Sequence, residues 1–281
     1  MRPAHAKVNL WLNVVGRRGD GYHLLDSLVA FVDLADRLAV RPADRLSLEL
    51  DGPLAGALVG EADNHNLVLK AARLLADRAG VAPRAAIHLA KHVPVAAGLG
   101  GGSADAAAAL LELVDFWRLA MPQEELFDLA ATLGADVPMC LAGRTAFVSG
   151  IGERLQPAPA LPACAILLVN PGVTLPTRDV FAARRAPFSP ARPPNRTWRD
   201  LAEFAAALAE HGNDLTEAAV SLEPAIGQVL EALQRSDARH AAMSGSGATC
   251  FALYNTPELA RRAASSLPPA WWRHAGAFVS R

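Results

Sequence analysis

The sequence predicts an α+β protein built from two domains. Period-two runs and helical runs are mixed in both halves of the chain, as expected where strands and helices share a core. The 281 residues suit about two domains or one large one. Prolines punctuate the stretch from Gln156 to Pro162 and mark a boundary. The expected domains are therefore residues 1–155 and 156–281.

The elements follow in order. In AKVNLWLNVV, Ala6, Val8, Leu10 and Leu12 alternate with Lys7, Asn9, Trp11 and Asn13, which predicts a strand with one apolar face. GRRGDGYH reads as a hairpin connection. Strands are expected at 25–32, 37–41 and 46–50. Helical spacing covers Asn66–Ala79, with Gly80 as a stop signal. Alternation returns over Arg84–Ala90. Helices are expected at Ala104–Leu119 and Gln123–Leu133, the latter closed by Gly134. Strands follow at Thr145–Val148 and Ala165–Asn170. Pro187–Pro194 reads as a surface loop, then helices at Trp198–Glu210, Leu215–Leu222 and Pro224–Gln234. MSGSGATCFALY places a Gly/Ser turn between two strand-like runs.

Composition excludes several classes. The net charge of −1 gives no electrostatic case for nucleic acid or anionic membranes. No run approaches the ~20 apolar residues of a membrane span. Cys140, Cys164 and Cys250 are odd in number and widely spaced, so neither a disulfide framework nor a zinc site is expected. A cytoplasmic protein, monomeric or a weak homodimer, is the expectation. Only Lys7, Lys70 and Lys91 are lysines among 27 basic residues. Where arginine serves nearly everywhere else, a retained lysine hints at a need for a compact ammonium.

The run PVAAGLGGGSADAAAALLEL carries the chemistry. Four of the five residues from Gly98 to Gly102 are glycine, directly before a helix. Ordering glycine costs entropy, so such a cluster needs a backbone reason. A Walker A loop requires G-K-[ST], which is absent, and the third glycine of a dinucleotide fingerprint falls on Ser103. What remains is a helix N-terminus with unpartnered N–H groups and partial positive charge, stripped of side chains so that phosphate can approach. Ser103 is expected to cap the helix or to offer its hydroxyl to phosphate or magnesium.

That run resembles the phosphate loop of the GHMP small-molecule kinases. HAKVNLWLNVVGRRGDGYH, LGADVP and SGSGA narrow the resemblance to members that phosphorylate the 2-hydroxyl of a CDP-linked methylerythritol in the non-mevalonate isoprenoid route. The similarity runs from Ala6 to about Leu253. It implies a two-domain GHMP kinase fold with the active site in the cleft between domains. ATP is then the co-substrate, accompanied by Mg2+, and the CDP-linked small molecule is the acceptor. ATP is expected along Pro94, Val95, Ala96, Ala97, Gly98, Leu99, Gly100, Gly101, Gly102, Ser103 and Ala104, with Asn66, Leu67 and Lys91 near the nucleotide. The stretch DNHNL leaves the register between Asn64 and Asn66 open. Lys91 reads equally well as a surface cation at a strand end.

The resemblance makes Asp136 the general base and Lys7 the cation that keeps it ionised and offsets charge on the transferred phosphoryl group. Asp136 otherwise reads as a helix cap in apolar surroundings, and Lys7 as a solvated strand residue. Tyr22 and His23 are implied to hold cytosine, by stacking and by hydrogen bonding, with Phe181 on the other face of the base. Asn9, Ser244 and Gly245 are implied to lie near the acceptor. Asp214 reads as a first-turn or capping carboxylate of a helix rather than a catalyst. No residue is assigned as a dedicated metal ligand. Kinases acting on homoserine, mevalonate or a sugar, a non-catalytic nucleotide binder and a Rossmann-type dehydrogenase are the alternatives. The Gly-Tyr-His turn speaks against the first group and the glycine spacing against the last.

Overall fold

Two long strands open the chain, β1 (Arg2–Arg17) and β2 (His23–Arg41), and they pair with each other. The computed structural model describes residues 1–58, 66–191 and 197–279. β3 (Ser47–Asp51), a 3-10 turn at Ala55–Leu58, α1 (Leu67–Ala79) and β4 (Ala86–Ala90) come next. They are followed by α2 (Gly101–Phe116), α3 (Gln123–Leu133), α4 (Val137–Ala142), β5 (Ala146–Gly150) and β6 (Arg154–Pro157). The remainder comprises β7 (Ala165–Asn170), α5 (Thr177–Ala183), α6 (Leu201–His211), α7 (Thr216–Leu222), α8 (Ala225–Gln234), β8 (His240–Met243), β9 (Cys250–Tyr254), α9 (Pro257–Ser266) and β10 (Trp272–Ala277).

The strands expected at 25–32 and 37–41 are one strand. Asp33 and Asp36 break the apolar alternation between them, but both have partners in the extended chain. Asp33 accepts from Ala277 N–H, and Asp36 accepts from the N–H groups of His92 and Val93. β1 also departs from expectation: residues 6–14 are buried on both faces, Lys7, Asn9 and Asn13 included.

The chain divides into two compact units, each discontinuous in sequence. Met1–Lys7, Leu34–Val95 and Gly100–Gly143 form the first; Val8–Asp33, Ala96–Leu99 and Arg144–Arg281 form the second. This differs from a single division after residue 155. β1 and β2 each pass from one unit to the other, so neither unit is one continuous segment.

In the first unit, β3 runs parallel to β4, and β4 pairs antiparallel with residues 37–41 of β2. A parallel pair needs a crossover, which α1 provides between β3 and β4. Asn66 caps α1 by accepting from Val68 N–H at 2.9 Å, and Gly80 ends it in the left-handed conformation. α2 is alanine-rich and buries Ala104, Ala106, Ala107, Ala108, Ala109, Leu110 and Leu113. A helix buried over so much of its surface is one other helices surround. Its partners are α1, α3 and α4, over a core that includes Leu38, Leu75, Ile87 and Leu89.

The second unit contains a four-stranded antiparallel sheet in the order β10-β7-β9-β8. β7 is central and buried throughout. Leu167, Val169, Val229, Leu233, Cys250 and Tyr254 belong to its core. Residues 25–29 of β2 pair with β5, which pairs with β6. No helix among the described residues is long and apolar enough to cross a membrane. The three cysteines are free thiols.

Candidate active site

Lys7 lies at the end of the first unit's share of β1, its side chain almost wholly buried. A buried ammonium requires a counter-charge. Asp136 supplies one: its Oδ2 is 3.4 Å from Lys7 Nζ, and its side chain is about half exposed. Asp136 immediately precedes α4 but makes no side-chain capping bond, and its exposure replaces the apolar setting expected. Its carboxylate is thus free of structural duty at the helix and held on one side by a fixed cation. Cys140 follows one turn on; burial, with the charge of Asp136 adding to it, pushes its thiol well above the usual range.

The stem of Lys7 is packed on the glycine run. A Cβ on Gly100 would meet Lys7 Cγ at 2.7 Å, and Gly100 has φ +65°, a conformation side chains disfavour. Gly100 is the N-terminal cap of α2, so the helix starts at Gly101 and Ser103 is its third residue rather than its cap. With glycine in the cap position, no side chain takes the N–H groups of the first turn. Gly102 is exposed, and a Cβ there would meet only Leu67 Cδ1 at 3.7 Å. Packing therefore accounts for Gly100 but not for Gly102. A bare, outward backbone at a helix N-terminus is what an approaching anion requires.

Lys91 is not a surface cation. It is 2% exposed and paired with two buried carboxylates, Asp36 and Asp105. Burial opposes its charge, but the two carboxylates outweigh that and hold its ionisation above the ordinary value. Asn66 spends its side chain on capping α1, Leu67 sits beside Gly102, and Asn64 lies outside the described residues. Pro94 and Val95 are half-buried in the loop that leads toward α2.

In the second unit, the segment from Ala96 to Leu99 meets the turn at 244–249. A Cβ on Gly98 (φ +75°) would lie 2.6 Å from the Gly247 carbonyl oxygen and 2.8 Å from that of Ser244. Thr249 N–H donates to the Ala97 carbonyl at 3.2 Å. Ser244 Oγ donates to the Gly98 carbonyl and accepts from Asn9 N–H at 3.1 Å, while Asn9 Nδ2 donates to Ser27 Oγ. The carbonyl of Gly245 accepts from Asn213 Nδ2. Ser244 and Gly245 thus brace the glycine segment and β1. Asp214 is no cap either: it accepts from Val14 N–H, Asn13 Nδ2 and Ser189 Oγ, tying β1 to the segments around it.

His23 stacks on Phe181 in the same unit, with ring centroids 4.8 Å apart and planes at 24°. Tyr22 beside them is 59% exposed. Burial first, then the charges of Arg17 and Arg184, lower the His23 pKa below 6.5. A neutral imidazole beside an exposed phenol and a phenyl ring offers stacking faces and a directional hydrogen bond. No group of three or more His, Cys, Asp or Glu side chains able to hold a metal ion occurs among the described residues.

Comparison with known proteins places the chain in a family. The GHMP kinases N terminal domain matches residues 66–144 and the GHMP kinases C terminal domain residues 193–274. The 4-diphosphocytidyl-2-C-methyl-D-erythritol kinase of Paramagnetospirillum magneticum is 54% identical, over 96% of this chain and 95% of its own. That of Ruegeria pomeroyi is 50% identical over the same shares of the two chains. The chain belongs to the 4-diphosphocytidyl-2-C-methyl-D-erythritol kinase family. A crystal structure of a 4-(cytidine 5'-diphospho)-2C-methyl-D-erythritol kinase superposes with TM-score 0.81 at 40% identity, covering 100% of this chain and 99% of that one. A mevalonate kinase from L. major, 13% identical with TM-score 0.69, shares the fold.

Membership of the 4-diphosphocytidyl-2-C-methyl-D-erythritol kinase family makes the chain a small-molecule kinase of α+β GHMP fold. Three buried polar residues escape a reading of the sequence alone: Ser27 in the second unit, and Asp36 and Asp105 in the first. Ser27 sits in a strand pattern as an ordinary polar interruption, and Asp36 falls in the gap between two expected strands. Asp105 carried a signal, being the one charged residue between Gly98 and Leu111, but only the buried face of α2 gives that signal meaning.

Proposed function

We propose that this chain transfers the γ-phosphoryl group of ATP to the 2-hydroxyl of 4-diphosphocytidyl-2-C-methyl-D-erythritol, with Asp136 as general base and Lys7 as its fixed cation. The Lys7–Asp136 pair is the observation that carries the reading. Phosphoryl transfer asks a protein mainly for positioning and charge stabilisation, and a held carboxylate with an adjacent ammonium supplies both. The acceptor oxygen forms a bond to the γ-phosphorus as the bond to the bridging oxygen breaks. The hydroxyl proton passes to Asp136, and ADP leaves.

The bare first turn of α2 receives the phosphates, and the open backbone at Gly102 supports that assignment. Magnesium would enter as the companion of ATP and offset its phosphate charge, with the Ser103 hydroxyl and the nucleotide itself as its ligands. Tyr22, His23 and Phe181 recognise the cytosine. A neutral His23 suits hydrogen bonding to the edge of an uncharged base, and the near-zero net charge suits small-molecule partners met in the cytoplasm.

The test is a coupled ADP-release assay with ATP-magnesium and the CDP-linked acceptor, run beside mevalonate and homoserine. Turnover confined to the CDP-linked acceptor, with a 2-phosphate product by phosphorus NMR, is the expected result. Turnover on mevalonate or homoserine instead would overturn the substrate assignment.

A further inference from the structure

Beside the Lys7–Asp136 pair, the first unit buries a cluster of three charged side chains among its described residues: Asp36, Lys91 and Asp105. They come from β2, from the residue after β4, and from α2. Lys91 Nζ donates to Asp36 Oδ2 and, at 2.6 Å, to Asp105 Oδ2. The other oxygen of Asp36 takes the N–H groups of His92 and Val93. The segment 91–93 is thereby clamped by side-chain and backbone bonds together.

That segment lies under the start of α2. A Cβ on Gly101 would be 3.2 Å from Val93 Cγ1 and 3.6 Å from Lys91 Nζ. The same ammonium therefore adjoins the first residue of the helix and holds Asp105, one turn further along. On the other side, Gly52 lies so close that a Cβ there would be 2.6 Å from both the N and O of Lys91, and Lys91 N–H donates to the Asp51 carbonyl at 2.8 Å, which ties residue 91 to β3. The Lys91–Asp105 bond and the close approach of Gly101 to Val93 together hold the first turn of α2 against residues 91–93.

Stability alone explains this cluster poorly. Buried ion pairs are often no better than apolar side chains of similar volume. The other buried positions of α2 are glycine, alanine and leucine. Asp105 Oδ1 is also buried and has no hydrogen-bond partner, although such groups are costly. A charge kept under those conditions suits a requirement for one specific placement of the helix.

We propose that Asp105 and Lys91, braced by Asp36, are positioning residues for ATP, holding the first turn of α2 where its N–H groups meet the phosphates. The proposal rests on the kinase reading above and adds residues that touch neither the reacting atoms nor the acceptor.

The experiment is steady-state kinetics on the full-length chain, with MgATP binding measured separately by calorimetry and folding by thermal melts. Asp105→Ala and Lys91→Met are expected to raise the KM for ATP at least about tenfold and leave the KM for the acceptor nearly unchanged, as misplacement of a binding element does. Asp105→Asn keeps an oxygen for Lys91 and recovers most of the ATP affinity. If Asp105→Ala does not fold, Asp105→Ser and Lys91→Gln carry the test. A lower Tm with unchanged ATP affinity, equal loss for both substrates, or no recovery in Asp105→Asn would each overturn the proposal. Calorimetry needs no turnover. An inactive wild type whose MgATP binding is still lost in Asp105→Ala would therefore sink the acceptor assignment and leave the positioning role standing.

Discussion

Lys7 Nζ stands 3.4 Å from Oδ2 of Asp136, the lysine almost wholly buried and the aspartate half exposed. The asymmetry matters. The cation is fixed by its surroundings, whereas the carboxylate keeps one side open to a reactant. Replacing Asp136 by Asn should lower kcat by ~10²–10⁴, the usual contribution of a positioned general base. MgATP binding should persist. Single-turnover kinetics together with calorimetry check both, and full turnover in Asp136→Asn would refute the assignment.

Gly100 and Gly102 separate stability from binding. Gly100→Ala places a methyl 2.7 Å from Lys7 Cγ at φ +65°. It should cost about 1–3 kcal/mol of stability from the backbone conformation alone and lower kcat by displacing Lys7. Gly102→Ala adds only an ordinary contact with Leu67 inside a helix and should leave stability unchanged or raise it by up to about 1 kcal/mol. It should nonetheless weaken ATP binding, because the methyl occupies the phosphate face. Melting curves and ATP KM values measured on the same preparations decide the matter. Unchanged ATP KM in Gly102→Ala would count against the phosphate assignment.

Tyr22→Ala and Phe181→Ala should each raise the KM of the CDP-linked acceptor without altering that of ATP. Loss of one stacking face is worth ~1–3 kcal/mol. Initial-rate kinetics with each substrate varied in turn test this. The His23 pKa is lowered below 6.5, by burial first and by Arg17 and Arg184 after it. Its neutral form therefore persists through neutral pH, and acceptor KM should stay flat there and rise only as pH falls below 6.5. A rise centred above neutrality would contradict the neutral-imidazole role.

Burial pushes the Asp105 carboxyl up to about 7 against the pull of Lys91, with Asp36 adding to the push and Cys140 of α4 within reach of the same charge. The ordinary value is 3.8. Over that interval the folded chain binds more protons than the unfolded one, so this contribution is fully present below 3.8 and is lost as pH rises through about 7. Asp105→Asn lacks the titration. The difference in Tm, variant minus wild type, should therefore become more positive between about pH 5 and about pH 8. A constant difference across that range would show that Asp105 does not titrate there.

Local pattern located many elements well. The bounds of α3 and β7 agree with the periodicity that predicts them, because each is a single apolar repeat between clear stop signals. Two strands are expected where β2 is one: Asp33 and Asp36 interrupt the apolar pattern, and only the folded chain brings Ala277, His92 and Val93 to donate to them. No element was expected beyond Tyr254, where α9 carries an alanine stripe on a charged helix and β10 is the short run WRHAGA.

By itself the sequence determined the mixed α+β class and the glycine-stripped start of a helix, both properties of composition and short-range spacing, and its resemblance to the GHMP kinases pointed to Lys7, Asp136, Tyr22 and His23. The tertiary structure decided which of them meet. Lys7 on β1 reaches Asp136 before α4, and Lys91 became the centre of a buried charge cluster rather than a surface cation. Ser103 yielded the helix cap to Gly100, whose missing side chain makes room for Lys7. Burial and partnership depend on residues far apart along the chain, and local spacing carries no record of those distances.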